Sequence, residues 1–139
     1  MFDIDYFKKY NDTYGHLKGD WCLQTIAQAV NQLFPEHSRG AFCRYGGEEF
    51  ALILSSADRE KGLQAAQQIK DTVHSLKVPH KSSEIADIIT LSIGIATMYP
   101  TKSILPDSLI KEADSALYFS KTRGRNTISI NEKPGRIPT

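Results

Sequence analysis

Apolar residues recur along this chain with two periods, near four and near two residues, and the changes between them divide it into elements. Residues 1–4 read as the end of a strand that breaks at Asp5. The polar stretch around Asn11, Asp12, Gly15 and Gly19 reads as turn material. Leu23, Ile26, Ala27, Val30 and Leu33 then share one helical face, predicting a helix that starts near Asp20 and stops at Pro35. Residues 41–45 and 50–54 are short apolar runs on either side of Gly46-Gly47-Glu48-Glu49. Paired glycines between such runs predict a tight hairpin, because glycine takes positive φ at low cost. Leu63, Ala66, Ile69, Val73 and Leu76 mark a second helix opened by Ser56 and Asp58. Ile89, Leu91, Ile93 and Ile95 alternate with Thr90, Ser92, Gly94 and Ala96, a strand whose small-residue face lets a helix pack closely. Pro106-Asp107 opens a third helix with Leu109, Ala113, Ala116 and Leu117 inward and Gly124 as its stop. Residues 127–130 form a last strand.

The predicted order is strand, helix, hairpin, helix, strand, helix, strand. It implies an α/β fold with a central mixed β-sheet flanked by helices, of palm type. Such connections leave strand ends and hairpin tips along one edge, where ligands sit. The 139 residues suit one domain, expected over residues 1–131, with 132–139 as a tail.

Charge sharpens this picture. Seventeen basic residues against sixteen acidic ones leave a net +1, so there is no broad basic field for nucleic acid. An anionic ligand must be held by a few placed groups. Cys22 and Cys43 match no metal or redox spacing and read as reduced thiols. No run approaches the ~20 apolar residues of a membrane span. The opening residues lack the basic and apolar regions of a signal peptide. The segment is therefore expected to be cytoplasmic and without membrane contact of its own, alone or as the output domain of a membrane-anchored receptor. His16, His37, His74 and His80 form no triad or metal spacing. Trp21, Phe34, Tyr118 and Phe119 read as core or half-buried helix residues.

Two carboxylate pairs carry candidate chemistry: Asp3 and Asp5 at the first strand end, Glu48 and Glu49 at the hairpin tip. If these strands are neighbours, up to four acids converge. Their mutual repulsion would raise pKa values unless cations intervene. Mg²⁺ typically takes one or two carboxylates plus phosphate oxygens, and paired ions can orient an attacking hydroxyl.

The run from Asp3 to Asp20, DIDYFKKYNDTYGHLKGD, closely resembles the opening signature of the GGDEF family of diguanylate cyclases. Arg44-Tyr45-Gly46-Gly47-Glu48-Glu49-Phe50 resembles its name motif in the GGEEF form. Residues 90–96 and 113–126 resemble two further family blocks, in the family's order and spacing. The resemblance implies a nucleotidyl-cyclase-like fold that condenses two GTP into cyclic di-GMP, releasing two pyrophosphates, where two copies of the domain face each other. It also implies two Mg²⁺ or Mn²⁺ ions per GTP, held by Asp3, Glu48, Glu49 and the Ile4 carbonyl. Either Glu48 or Glu49 would help deprotonate the nucleophile. Asn11 and Asp20 would bind the guanine edge, with an amide donating to an acceptor on the ring; a turn residue and a helix cap are the alternative readings. The backbone of Phe7 and Lys8 would bind the β- and γ-phosphates, and Gly47 would leave room for the α-phosphate. Lys121 and Arg125 would grip the γ-phosphate, or else complement a helix dipole.

Two departures stand out. His37, Ser38, Arg39 and Gly40 replace the family's Arg-x-x-Asp inhibitory site, so product inhibition at that position is not expected. The family's preceding helix and full first strand have almost no counterpart before Asp3, so the chain reads as an N-terminally shortened GGDEF domain missing an upstream sensor region. The alternative to an active cyclase is a catalytically silent module that binds GTP or cyclic di-GMP.

Overall fold

The structure, a computed structural model, describes residues 1–35 and 40–131. Its elements are β1 (Phe2–Ile4), α1 (Phe7–Tyr14), α2 (His16–Leu33), β2 (Gly40–Gly46), β3 (Glu49–Leu54), α3 (Arg59–Ser75), β4 (Leu91–Ile95), α4 (Pro106–Thr122) and β5 (Ile128–Ile130). The sheet order is β2-β3-β1-β4-β5. The short β1 is central and runs antiparallel to both neighbours, with Phe2 opposite Phe50 and Ile93. β4 and β5 are parallel, which makes the sheet mixed as expected.

Strand alternation separates two packing faces. On one, Phe2, Ile4, Phe50, Leu91 and Ile93 join Ile26 and Val30 of α2 and Ile69 and Val73 of α3 in a single buried cluster. Phe2 stacks on Phe50 with centroids 5.2 Å apart. On the other face α4 lies directly on β4. Gly94 permits this: a Cβ there would come within 2.7 Å of Leu117 Cα. Ser120 Oγ, one turn on, donates to the Ile93 carbonyl at 2.7 Å and locks the helix in place. Asp58 caps α3 by accepting from the Lys61 N–H at 2.9 Å.

Several expectations need correction. Residues 7–14, expected as turn material, form α1, and α2 begins at His16 rather than near Asp20. Gly15, at φ 87°, is the joint between the two helices. The short, polar α1 is held by packing rather than propensity: Phe7 and Tyr10 are buried, and the Tyr10 ring lies tilted against Tyr14 with centroids 4.7 Å apart. Asp20 is exposed inside α2 and caps nothing. Asn11 is likewise helical, not a turn residue. Gly47 takes positive φ at the hairpin tip, whereas Gly46 does not. Leu63 is exposed, and Ala65 with Ala66 forms that turn's buried face. Tyr118 and Phe119 are 66% and 53% exposed, because α4 buries the stripe Ala113, Ala116, Leu117 and Ser120 instead. Trp21 is also exposed. The predicted tail and the positions of His37, Ser38 and Arg39 lie outside the described residues. Gly40 opens β2 opposite Leu54.

Candidate active site

Neighbouring strands bring three of the predicted acids together. Asp3 lies directly opposite Glu49 in the β1–β3 ladder. The Ile4 N–H donates to the Glu48 carbonyl at 3.3 Å, which fastens the hairpin tip to β1. A register shift between Arg44 and Gly46 bends the tip, and Arg44 Nε braces it by donating to the Gly47 carbonyl at 2.8 Å. Asp3 is buried, and burial raises its carboxyl from the ordinary 3.8 to about 6; the Lys121 hydrogen bond and charge offset part of this, while Glu48 and Glu49 add to it. Lys121 Nζ stands 3.0 Å from Asp3 Oδ2 and 3.9 Å from Glu49 Oε1. The end of α4 thus places an ammonium among these acids.

That ammonium tests the fit of a metal. A cation between Asp3 and Glu49 is what the acid pair requires, and oxygen donors suit a hard divalent ion. Among the described residues no three His, Cys, Asp or Glu side chains form a cage by themselves. The residues fit a metal that takes its remaining ligands from a bound phosphate or from water.

Asp5 does not join this cluster, so four acids do not converge. Its carboxylate accepts hydrogen bonds from Thr90 Oγ1, Ser92 Oγ and the Asn126 N–H. Asp5 is an internal anchor, which the spacing of the two aspartates could not show.

Beside the acids, the chain turns through Tyr6, at φ 54°, into α1. The first-turn N–H groups of Phe7 and Lys8 have no acceptor within the helix and carry the positive end of its dipole. Arg125 lies against this turn: its guanidinium stacks over the Tyr6 ring at 4.6 Å, and Nη1 is 3.5 Å from Tyr6 Oη. Tyr6 escaped the sequence reading, since its role depends on a residue 119 positions away.

Asn11 faces the first turns of α2. Its Oδ1 is buried with no hydrogen-bond partner, a condition that costs about 1–3 kcal/mol. It fills the space where a side chain on Gly19 would stand. Gly19 is therefore fixed by Asn11, and the next residue is Asp20. One turn further, Leu23 and Gln24 border a shallow groove of about 410 Å³ between α2 and β2, floored by Ala27, Phe42 and Phe50. A second groove, of about 520 Å³, runs past Leu52, Leu54 and Ile95 and includes none of the site acids.

A mixed sheet flanked by helices, whose central strand and glycine hairpin bring acids together at the sheet edge, defines an α/β domain of the palm-like nucleotidyl-cyclase class. The chain belongs to the GGDEF-domain family: residues 1–127 match the family described as "Diguanylate cyclase, GGDEF domain". Diguanylate cyclase A of Treponema denticola is 34% identical over 132 residues, which are 95% of this chain and 34% of that protein. Diguanylate cyclase DosC of Escherichia coli is 37% identical over 133 residues, 94% of this chain and 27% of that protein. The chain thus spans about a third or less of the length of these curated relatives. Among solved structures, the GGDEF domain of DgcB from Caulobacter crescentus, in complex with c-di-GMP, superposes with a TM-score of 0.80 at 32% identity, over 95% of this chain and 75% of that one. The active GGEEF domain of a diguanylate cyclase from Vibrio cholerae gives 0.76 at 30% identity, over 95% and 80%. No helix among the described residues is long and apolar enough to cross a membrane.

Proposed function

We propose that this chain is the catalytic domain of a diguanylate cyclase, joining two GTP molecules into cyclic di-GMP with loss of two pyrophosphates. The observation that supports the reading is Asp3 opposite Glu49 with the Lys121 ammonium within 4 Å of both, while Arg125 stacks over the Tyr6 ring just before α1 begins. Intact acids and an intact hairpin favour turnover over silent binding.

Each residue then has a task. The amides of Phe7 and Lys8 receive the β- and γ-phosphates, and the side chains of Lys121 and Arg125 neutralise them from the α4 side. Gly47, with no side chain at the tip, leaves the α-phosphate room to approach the backbone. The Asn11 amide would donate to an acceptor on the guanine ring, and the Asp20 carboxylate would accept from the base's N–H groups. Asp3, Glu48, Glu49 and the Ile4 carbonyl would hold two Mg²⁺ or Mn²⁺ ions per GTP, which when bound supply activation of the 3′-hydroxyl and charge neutralisation at phosphorus. Lys121, whose Nζ stands 3.0 Å from Asp3 Oδ2, would reach that phosphate from the same end of α4. Glu48 or Glu49 would take the 3′-hydroxyl proton.

The product has two equivalent phosphodiester bonds, and this edge holds one triphosphate. Two copies facing each other about a two-fold axis, each carrying one GTP, would complete the reaction. An upstream sensor region would act by controlling that encounter.

The test is incubation of the purified chain with GTP and Mg²⁺ or Mn²⁺, with chromatography of the products. Cyclic di-GMP and pyrophosphate are expected from the wild type and not from Glu49→Ala. GTP binding without product, unchanged by Glu49→Ala, would establish the silent-module reading instead. No binding of GTP at all would refute both.

A further inference from the structure

Asp5 is 1% exposed, and its carboxylate is fully engaged. Oδ2 accepts from Thr90 Oγ1 at 2.7 Å and from the Asn126 N–H at 3.0 Å; Oδ1 accepts from Ser92 Oγ at 2.6 Å. Two of these donors belong to the β4 region and one to the turn after α4. That turn is strained. Arg125 and Asn126 are consecutive non-glycine residues at φ 63° and 46°, a conformation costing roughly 1–2 kcal/mol per residue. Two hydrogen bonds hold it: the Arg125 N–H donates to the Ser120 carbonyl at 3.0 Å, and the Asn126 N–H donates to Asp5.

The other side of the same junction is strained as well. Tyr6, next in sequence to Asp5, is left-handed at φ 54°. Its carbonyl accepts from the Tyr10 N–H at 3.0 Å and faces His80 Nε2 at 3.1 Å. Its ring carries the Arg125 guanidinium. Three left-handed residues therefore meet around one buried carboxylate. Two of them set where Arg125 points, and the third sets where the α1 amides point. Burying a carboxylate with three donors merely to close a turn is costly. The return is a fixed spacing between two phosphate-binding groups that are 118 residues apart in sequence.

We propose that Asp5 is a positioning residue for the nucleotide's terminal phosphates. It ties the Arg125 turn to the start of α1, so that the guanidinium and the Phe7 and Lys8 amides approach one triphosphate from two sides. The proposal rests on the GTP reading above. It assigns Asp5 no contact with metal or substrate.

The prediction separates phosphate grip from base recognition. Binding is measured by calorimetry with α,β-methylene GTP, which cannot release pyrophosphate, and with GMP, which lacks the outer phosphates. Asp5→Ala is expected to weaken the triphosphate by about tenfold or more and GMP by less than about twofold. Asp5→Asn should recover much of the loss, because its carbonyl can keep the Thr90 and Asn126 donors while the Ser92 hydroxyl rotates to accept. Arg125→Ala should mimic Asp5→Ala, and the double variant should lose little more than either single one. Equal losses for both ligands, or additive effects of Asp5 and Arg125, would overturn the proposal in favour of a purely structural carboxylate. If Asp5→Ala does not fold by circular dichroism, the same cycle is run with Asp5→Asn, where a smaller loss must still be non-additive with Arg125→Ala. A wild type that binds neither ligand would refute the GTP reading itself. Loss of binding in Arg125→Ala but not in either Asp5 variant would refute the role of Asp5 alone.

Discussion

Gly94→Ala provides the most direct test of how the fold supports the site. The added Cβ would lie 2.7 Å from Leu117 Cα and nearer still to Leu117 N and the Ala113 carbonyl. These are backbone atoms of α4, and no side-chain rotation relieves the overlap. Comfortable carbon contacts begin near ~3.5 Å, so the helix must retreat by most of an ångström at Cα and by more at the amide. Retreat breaks the 2.7 Å bond from Ser120 Oγ to the Ile93 carbonyl and opens the buried Ala113, Ala116 and Leu117 stripe. Overpacking typically costs ~1–3 kcal/mol, and a clash with rigid backbone belongs at or above the upper end. With a urea slope of about 2 kcal/mol per molar, a loss of about 3 kcal/mol lowers the midpoint by about 1.5 M. Gly62→Ala is the control. Its new Cβ meets only the Ile95 Cγ2 methyl at 3.3 Å, and the interior of α3 gains up to ~1 kcal/mol of helix propensity. Its midpoint should hold or rise. A Gly94→Ala midpoint within about 0.5 M of wild type would refute the close-packing account of α4, since that corresponds to only ~1 kcal/mol. The same shift should reach the site, because Lys121 lies one turn beyond Leu117.

Three further outcomes are expected. Gly19→Ala drives a Cβ into Asn11 Oδ1 and should cut the preference for GTP over ATP by about tenfold or more in competition binding while leaving the melting temperature within a few degrees of wild type. His80 is buried, which holds its pKa below the ordinary 6.5 against the raising influence of the Tyr6 and Asp5 backbone and the Asp5 charge. The unfolded chain then binds the extra proton first, so this stability is complete above about pH 6.5 and is lost as pH falls below it; His80→Gln should flatten that limb of a melting-temperature series, and parallel curves would contradict it. Cys43 is exposed while Cys22 is buried with its thiol pushed up to about 12, so a disulfide exchange reagent should titrate one thiol in the native protein and two after denaturation.

What the sequence disclosed follows from which forces are periodic. α3, α4 and β4 carry strong apolar rhythms, and Gly94 among alternating isoleucines announced a close helix. α1 did not announce itself, because FKKYNDTY has two buried positions and a polar remainder. Its stability comes from aromatic contacts with residues far away, such as the edge of Tyr10 against His80 at 5.3 Å. The same limit governed the site. Asp3, Glu48 and Glu49 were legible as acids at strand ends, and their meeting required only adjacent strands. Asp5 has the same chemistry and nearly the same position, yet points to Thr90 and Ser92, whose hydroxyls looked like mere small residues. The exposure of Tyr118 and Phe119 was hidden for the opposite reason: α4 satisfies its inner face with alanine, leucine and serine, leaving no room for rings.

The position of β1 also bears on how the molecule is made. Residues 2–4 are synthesised before both strands that must flank them, at 49–54 and 91–95. Lys121, the cation that compensates Asp3, follows 118 residues behind it. The nascent chain must therefore keep this middle strand waiting until the residues of β3 and β4 have emerged. Such long-range closure slows folding and leaves Phe2 and Ile4 open to wrong partners in the interim. Synthesis of this fold is expected to lean on chaperones that shield β1, and the acidic edge around Asp3 to be the last part to mature.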